Sequence, residues 1–197
     1  MQGFFCGFNI KIAILSRKPN TMKRIFGTAI LATLLACGQA DKKSSGTSDT
    51  TVKDSVVNTT SATLKDEKIN VIFSKYEDLK DALVKSDSLA TQKAAALLQP
   101  ELASYKGCEL TAEVAKKIAA STNLSTQREA FTVLSSDLIA LLKTADVATG
   151  TVYVQHCPMA NKGDGGDWLS SAKEIRNPYY GDEMLECGRV TAEIKAK

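Results

Sequence analysis

His156, Cys157, Met159, Met184 and Cys187 fall within one C-terminal run, Val154 to Gly188, that reads VQHCPMANKGDGGDWLSSAKEIRNPYYGDEMLECG. It holds the single histidine and the single tryptophan (Trp168) of the 197-residue chain, with two of its five cysteines and two of its four methionines. Thiolate, thioether and imidazole donors at short spacing suit a soft monovalent ion, Cu(I) first, with Ag(I) as a mimic. Zinc would take the cysteines and the histidine but has little use for methionine. The spacing is not that of paired CxxC zinc ligands, a CxxCH haem site or a thioredoxin-like CxxC.

The same cysteines support a second reading. An oxidising compartment favours a Cys157–Cys187 disulfide, which would staple a poorly packed end of the domain. Met159 and Met184 are then gap-filling side chains, His156 is a surface or hydrogen-bonded histidine, and Cys108 lies buried among helices. Trp168 packs over the loop in this reading; in the first, its ring can lie against bound Cu(I) as a cation–π partner. Asp164 and Asp167 do not match a calcium loop and serve turn chemistry in the glycine-rich stretch.

The elements that must position these residues are mostly helical. Ile69, Ile72, Tyr76, Leu79 and Leu83 recur at the three-and-four spacing of one buried face between Asp66 and Lys85. Ser86-Asp87-Ser88 breaks or kinks that helix, and helical composition resumes through Leu89, Ala90 and Ala94–Leu98 until Pro100. A short alanine-rich helix is expected from Thr111 to Ser121. Thr126-Gln127-Arg128-Glu129 has a capping-box pattern, opening a helix with Phe131, Leu134, Leu138 and Leu141 on one face. The fold class expected is mainly α, an antiparallel three- to four-helix bundle with a loop-rich C-terminal segment. Thr151–His156 and Arg189–Ile194 suit short strands, and pairing them as a two-stranded ribbon would bring the two sulfur clusters to one end. Asp182 as N-cap and Gly188 as stop would frame a single turn with Met184 and Cys187 three apart on one face.

The N-terminal part reads as an address. From Met22 the sequence MKRIFGTAILATLLACG has Lys23 and Arg24, an apolar stretch, then Leu34-Leu35-Ala36-Cys37. That stretch resembles a bacterial lipoprotein lipobox, with residues 22–36 as signal peptide and an N-terminal lipid on Cys37. Met22 is then the expected initiator, and residues 1–21 an upstream extension. Residues 37–65, rich in Ser, Thr, Asp and Lys, are expected to be a flexible tether, with a mean reach of about 30 Å. Residues 66–197 form the domain. The formal charge of +3 includes the basic residues of the signal. No basic stripe with stacking aromatics suggests nucleic acid as a partner.

CPMANKGDGGDWLS followed by IRNPYYGDEMLECG resembles the signature of an uncharacterised envelope domain of Gram-negative bacteria. In that family the segment occurs in stand-alone lipoproteins or at the C-terminus of periplasmic adaptor subunits of copper/silver efflux pumps. The resemblance runs from Ile69 to Glu193, and on this chain its motif falls on Cys157, Pro158, Met159, Trp168, Asn177, Pro178, Tyr179, Gly181, Met184, Cys187 and Gly188. It implies a helical domain of the cell envelope, lipid-anchored to a membrane and associated with heavy-metal efflux components.

An enzyme is not expected. The chain shows no GxSxG elbow, phosphate loop, HExxH pair or nucleotide-binding glycine set. His156 and Cys157, adjacent on an extended segment, point to opposite faces and make a poor dyad. Thiol exchange at Cys157 and Cys187 is the remaining chemistry. The sequence thus frames a soft-metal domain with ligands Cys157, Met159, Met184, Cys187 and optionally His156, against an interaction module stapled by Cys157–Cys187.

Overall fold

The computed structural model describes residues 62–196. The expected upstream extension, signal peptide, lipidated Cys37 and most of the tether lie outside the described residues.

After a two-residue strand at Thr63–Leu64 come four helices: α1 (Glu67–Val84), α2 (Ser88–Ser104), α3 (Glu109–Ala120) and α4 (Leu124–Leu142). The apolar face expected for α1 is its buried face, with Ile69, Ile72, Tyr76, Leu79 and Leu83 all in the core. Asp66 caps it, its carboxylate accepting from the backbone N–H groups of Lys68 and Ile69 at 2.9 and 3.2 Å. Ser86, at φ +53, ends the helix, and Asp87 caps α2 by accepting from Ala90 N at 2.8 Å. Lys85–Asp87 is therefore a break between two helices, and Ser88 opens the second. Pro100 does not end α2; the helix carries it and runs on to Ser104, with Leu102 buried beyond it.

The start of α4 also differs from the expected one. Asn123 is its cap, accepting from Thr126 N at 3.0 Å, so Thr126-Gln127-Arg128-Glu129 lies inside the first turns. Gln127 is buried, and its amide donates to the carbonyls of Ser121 and Ser88, which ties α4 to the start of α2. Leu142 takes the buried place expected of Leu141, which is partly buried against the core.

Consecutive helices pack on one another, joined by short connections that make neighbours antiparallel. Tyr76 and Phe131 stack at the centre, ring centroids 5.4 Å apart. The Tyr76 hydroxyl is fully buried with a pKa raised far above its ordinary value by desolvation, so it stays neutral. It shares a hydrogen bond with Ser135 Oγ at 2.8 Å and accepts one from Leu169 N at 3.1 Å. That last bond fastens the helices to the strands.

The described residues also form five strands, one before the helices and four after them. β1 (Thr63–Leu64) pairs antiparallel with β2 (Val147–Thr149), and Ala62 and Leu64 are buried. The ordered fold thus reaches back into the stretch assigned to the tether. β3 (Thr151–Cys157) is the middle strand of a second sheet, between β4 (Gly166–Ser170) and β5 (Arg189–Lys195), both antiparallel to it. The expected pairing of the two outer segments is present, and β4 adds a third strand where the sequence read as loop. Its first residue explains why glycine stands there: a Cβ on Gly166 would sit 2.7 Å from the Tyr179 ring. No helix among the described residues is long and apolar enough to cross a membrane.

Candidate functional site

Side chains alternate along β3, so Gln155 and Cys157 share one face while Val154 and His156 share the other. Cross-strand register puts Trp168 beside Gln155 and Leu169 beside Val154. Leu169 is buried on the Val154 face, and its backbone N–H donates to Tyr76 OH on α1. The opposite face, with Gln155, Cys157 and Trp168, is roofed by the loop after β4.

That roof is pinned at several points. Gln155 is buried, and its Nε2 donates to the carbonyls of Ala172, Lys173 and Glu174 at 2.9–3.2 Å. Ser171 donates from both N and Oγ to the Glu77 carboxylate, at 2.9 Å, on α1. Asn177 is fully buried: its Oδ1 accepts from Tyr179 N at 2.8 Å and its Nδ2 donates to Cys187 O at 2.9 Å. Arg128, whose pKa is lowered by desolvation, donates from Nε to Pro178 O at 3.0 Å and from Nη2 to Ser86 Oγ at 2.9 Å. Tyr179 packs edge-on against both Phe131 and Trp168, and its hydroxyl donates to Asp167 O at 2.8 Å. Arg128 and Asn177 thus hold the roof that carries Cys187. Arg128 stands in a capping-box pattern, yet its partners are 42 and 50 residues away, beyond any local signal.

The roof delivers Cys187 to the end of β3. Sγ of Cys157 and Sγ of Cys187 lie 2.9 Å apart. Cys157 is fully buried and Cys187 partly exposed. The pKa of the Cys187 thiol is raised, first by its hydrogen bond with Cys157 and then by burial. Gly188 makes the close approach feasible: a Cβ there would stand 2.9 Å from both His156 O and the Trp168 ring, at a φ of +150°.

His156 and Met159 go elsewhere. His156 turns its Nδ1 to Asp167 Oδ1 at 2.9 Å, a cross-strand pair on the face opposite Cys157. Met159 is 53% exposed, beyond the Pro158 turn, and Tyr180 OH donates to its carbonyl oxygen at 2.6 Å. The expected helical turn for Met184 and Cys187 is not formed. A short 3-10 segment covers Gly181–Glu183, Met184 has φ −148° and ψ 57°, and Cys187 N donates to Met184 O at 3.1 Å. Asp182 lies inside that segment and does not cap it.

Trp168 is fully buried in the sheet, and its Nε1 has no hydrogen-bond partner. Among the described residues, no group of three or more His, Cys, Asp or Glu side chains is placed to hold a metal. A cleft of about 230 Å³ between α4 and the loops, with Arg128, Lys162, Tyr180 and Glu183 in its wall, includes neither cysteine in its lining.

No curated protein and no solved structure matches the chain. A family model does match, over the helices and β2; the C-terminal motif with its sulfur pair lies beyond the matched segment. The resemblance to an uncharacterised domain family therefore stands on residues 72–150, which match the family described as "Protein of unknown function (DUF3347)".

Proposed function

We propose that this is a lipid-anchored envelope domain that works as a protein-interaction module, its C-terminal half shaped by a Cys157–Cys187 bridge. One observation carries the reading: the two sulfurs meet at 2.9 Å while His156 and Met159 are engaged elsewhere or exposed. A pair of thiols in contact, in the oxidising compartment that the Cys37 signal suggests, forms a disulfide. The bridge then fixes the roof over β3 by the loop closure it adds to Asn177 and Arg128. The resemblance suggests heavy-metal efflux components as the class of partner, docked by the surface that the roof presents.

A second reading is favoured by the partial exposure of Cys187. In the reduced protein, the two thiolates are the donors Cu(I) prefers, and a two-coordinate ion would hold them once they part from their 2.9 Å contact. This keeps the soft-metal reading with Cys157 and Cys187 as its thiolate ligands and leaves His156 and Met159 outside the site. A titration with a coloured Cu(I) chelator separates the readings. The bridged protein should leave the chelator's copper untouched. A one-to-one withdrawal by protein as isolated, without reductant, would overturn the interaction reading in favour of the metal one.

A further inference from the structure

Besides holding the roof, the sulfur pair is asymmetric toward solvent. Cys157 ends the central strand of the sheet, on the face that carries Trp168, and is fully buried. Cys187 stands in the turn before Gly188 and is partly exposed. We propose that Cys187 is the sulfur at which external low-molecular-weight thiols and disulfides exchange with this pair, with Cys157 as its buried counterpart. The proposal deepens the bridge reading and rests on it.

The geometry sets the direction of exchange. A thiolate attacks a disulfide sulfur along the S–S axis, on the side away from the leaving sulfur. Cys187 is partly exposed and open to an incoming thiolate, whereas Cys157 is fully buried and closed to one. An incoming thiolate RS⁻ therefore bonds to Cys187 Sγ. The Cys157–Cys187 bond breaks, its electron pair stays on Cys157 Sγ, and that sulfur takes up a proton. A mixed disulfide is left on Cys187. A second RS⁻ then attacks the R-bearing sulfur, giving RSSR and the Cys187 thiolate, so that the protein pair is reduced by two electrons and two RSH are oxidised. Run backward, a small disulfide loads Cys187, and Cys157 displaces the small thiol to close the bridge. Asn177, bonded to the Cys187 carbonyl, keeps the two sulfurs in register throughout.

The test uses the full-length chain and glutathione. With Cys157→Ser and Cys187→Ser made singly, each protein is exposed to glutathione disulfide under native conditions and mapped by mass. The expected result is capture at Cys187 at least about ten-fold faster than capture at Cys157. Where either variant loses its native circular dichroism, the wild-type protein is treated with limiting reduced glutathione, quenched in acid and mapped instead. Glutathione should then be found on Cys187. Equal capture at the two sulfurs, or adducts on Cys157 in the wild type, would overturn the assignment. Absence of any bridge in untreated wild-type protein would remove the bridge reading itself, and the single-variant rates would still decide which sulfur is the reactive one.

Discussion

Reducing the proposed Cys157–Cys187 bridge, or replacing both cysteines with alanine, is expected to cost about 3–4 kcal/mol of stability. The estimate follows from the 30-residue separation of the two sulfurs, which closes a long loop in the unfolded chain. For a domain of this size the loss corresponds to a fall in Tm of roughly 10 °C. The effect is concentrated in the roof, because the loop from Ser171 to Gly188 has little regular structure of its own and depends on point contacts. Those contacts are Gln155 to three carbonyls, Glu77 to Ser171, Asn177 to Cys187 and Arg128 to Pro178. Thermal unfolding with and without reductant reads the difference directly. Identical transitions in the two conditions would show that the bridge is absent or that the roof stands without it.

Trp168→Ala should be the most damaging single core substitution in the sheet, costing about 3–5 kcal/mol by lost burial and a cavity. The ring is fully buried, packs edge-on against Tyr179 with centroids 6.1 Å apart, and lies against the position of Gly188. Its removal opens the space between β4 and the roof. Trp168→Phe should cost much less, about 1–2 kcal/mol. Phenylalanine keeps most of the ring volume, and it removes an indole N–H that is buried without an acceptor. Denaturant unfolding followed by circular dichroism checks both, since fluorescence from the single tryptophan is lost. A Trp168→Phe variant as unstable as Trp168→Ala would mean that the indole N–H has a bonding role.

The helices were legible because their information is local. Ile69, Ile72, Tyr76, Leu79 and Leu83 repeat at helical spacing and are the residues that α1 buries. The strands at Thr151 and Arg189 were legible from β-branched residues, and they pair as expected. β4 was not. Gly166-Asp167-Trp168-Leu169-Ser170 looks like the end of a glycine-rich loop, and it becomes a strand because β3 offers a free edge and Tyr179 needs the space above Gly166. Tertiary packing overrode local propensity there. Pro100 has the local character of a helix stop, yet Leu102 beyond it has a place in the core that keeps α2 going.

The candidate site divides in the same way. Rarity and compartment singled out Cys157 and Cys187, and the sheet and roof bring them together. The wider ligand set required Met159, Met184 and His156 to converge as well, which spacing alone does not determine. His156 is committed by cross-strand register to Asp167, eleven residues away, and Met159 is carried outward past Pro158. Arg128 and Asn177, which hold the roof in place, carried no sequence signal of that role, because their partners lie on other elements.

Peptide mapping of freshly isolated protein, with thiols blocked before digestion and no reductant present, tests the central claim most directly. The account predicts that the peptides holding Cys157 and Cys187 are recovered joined, in near-stoichiometric yield. Recovery of both residues as separate blocked thiols would contradict it, and would return the pair to the reduced, Cu(I)-binding alternative.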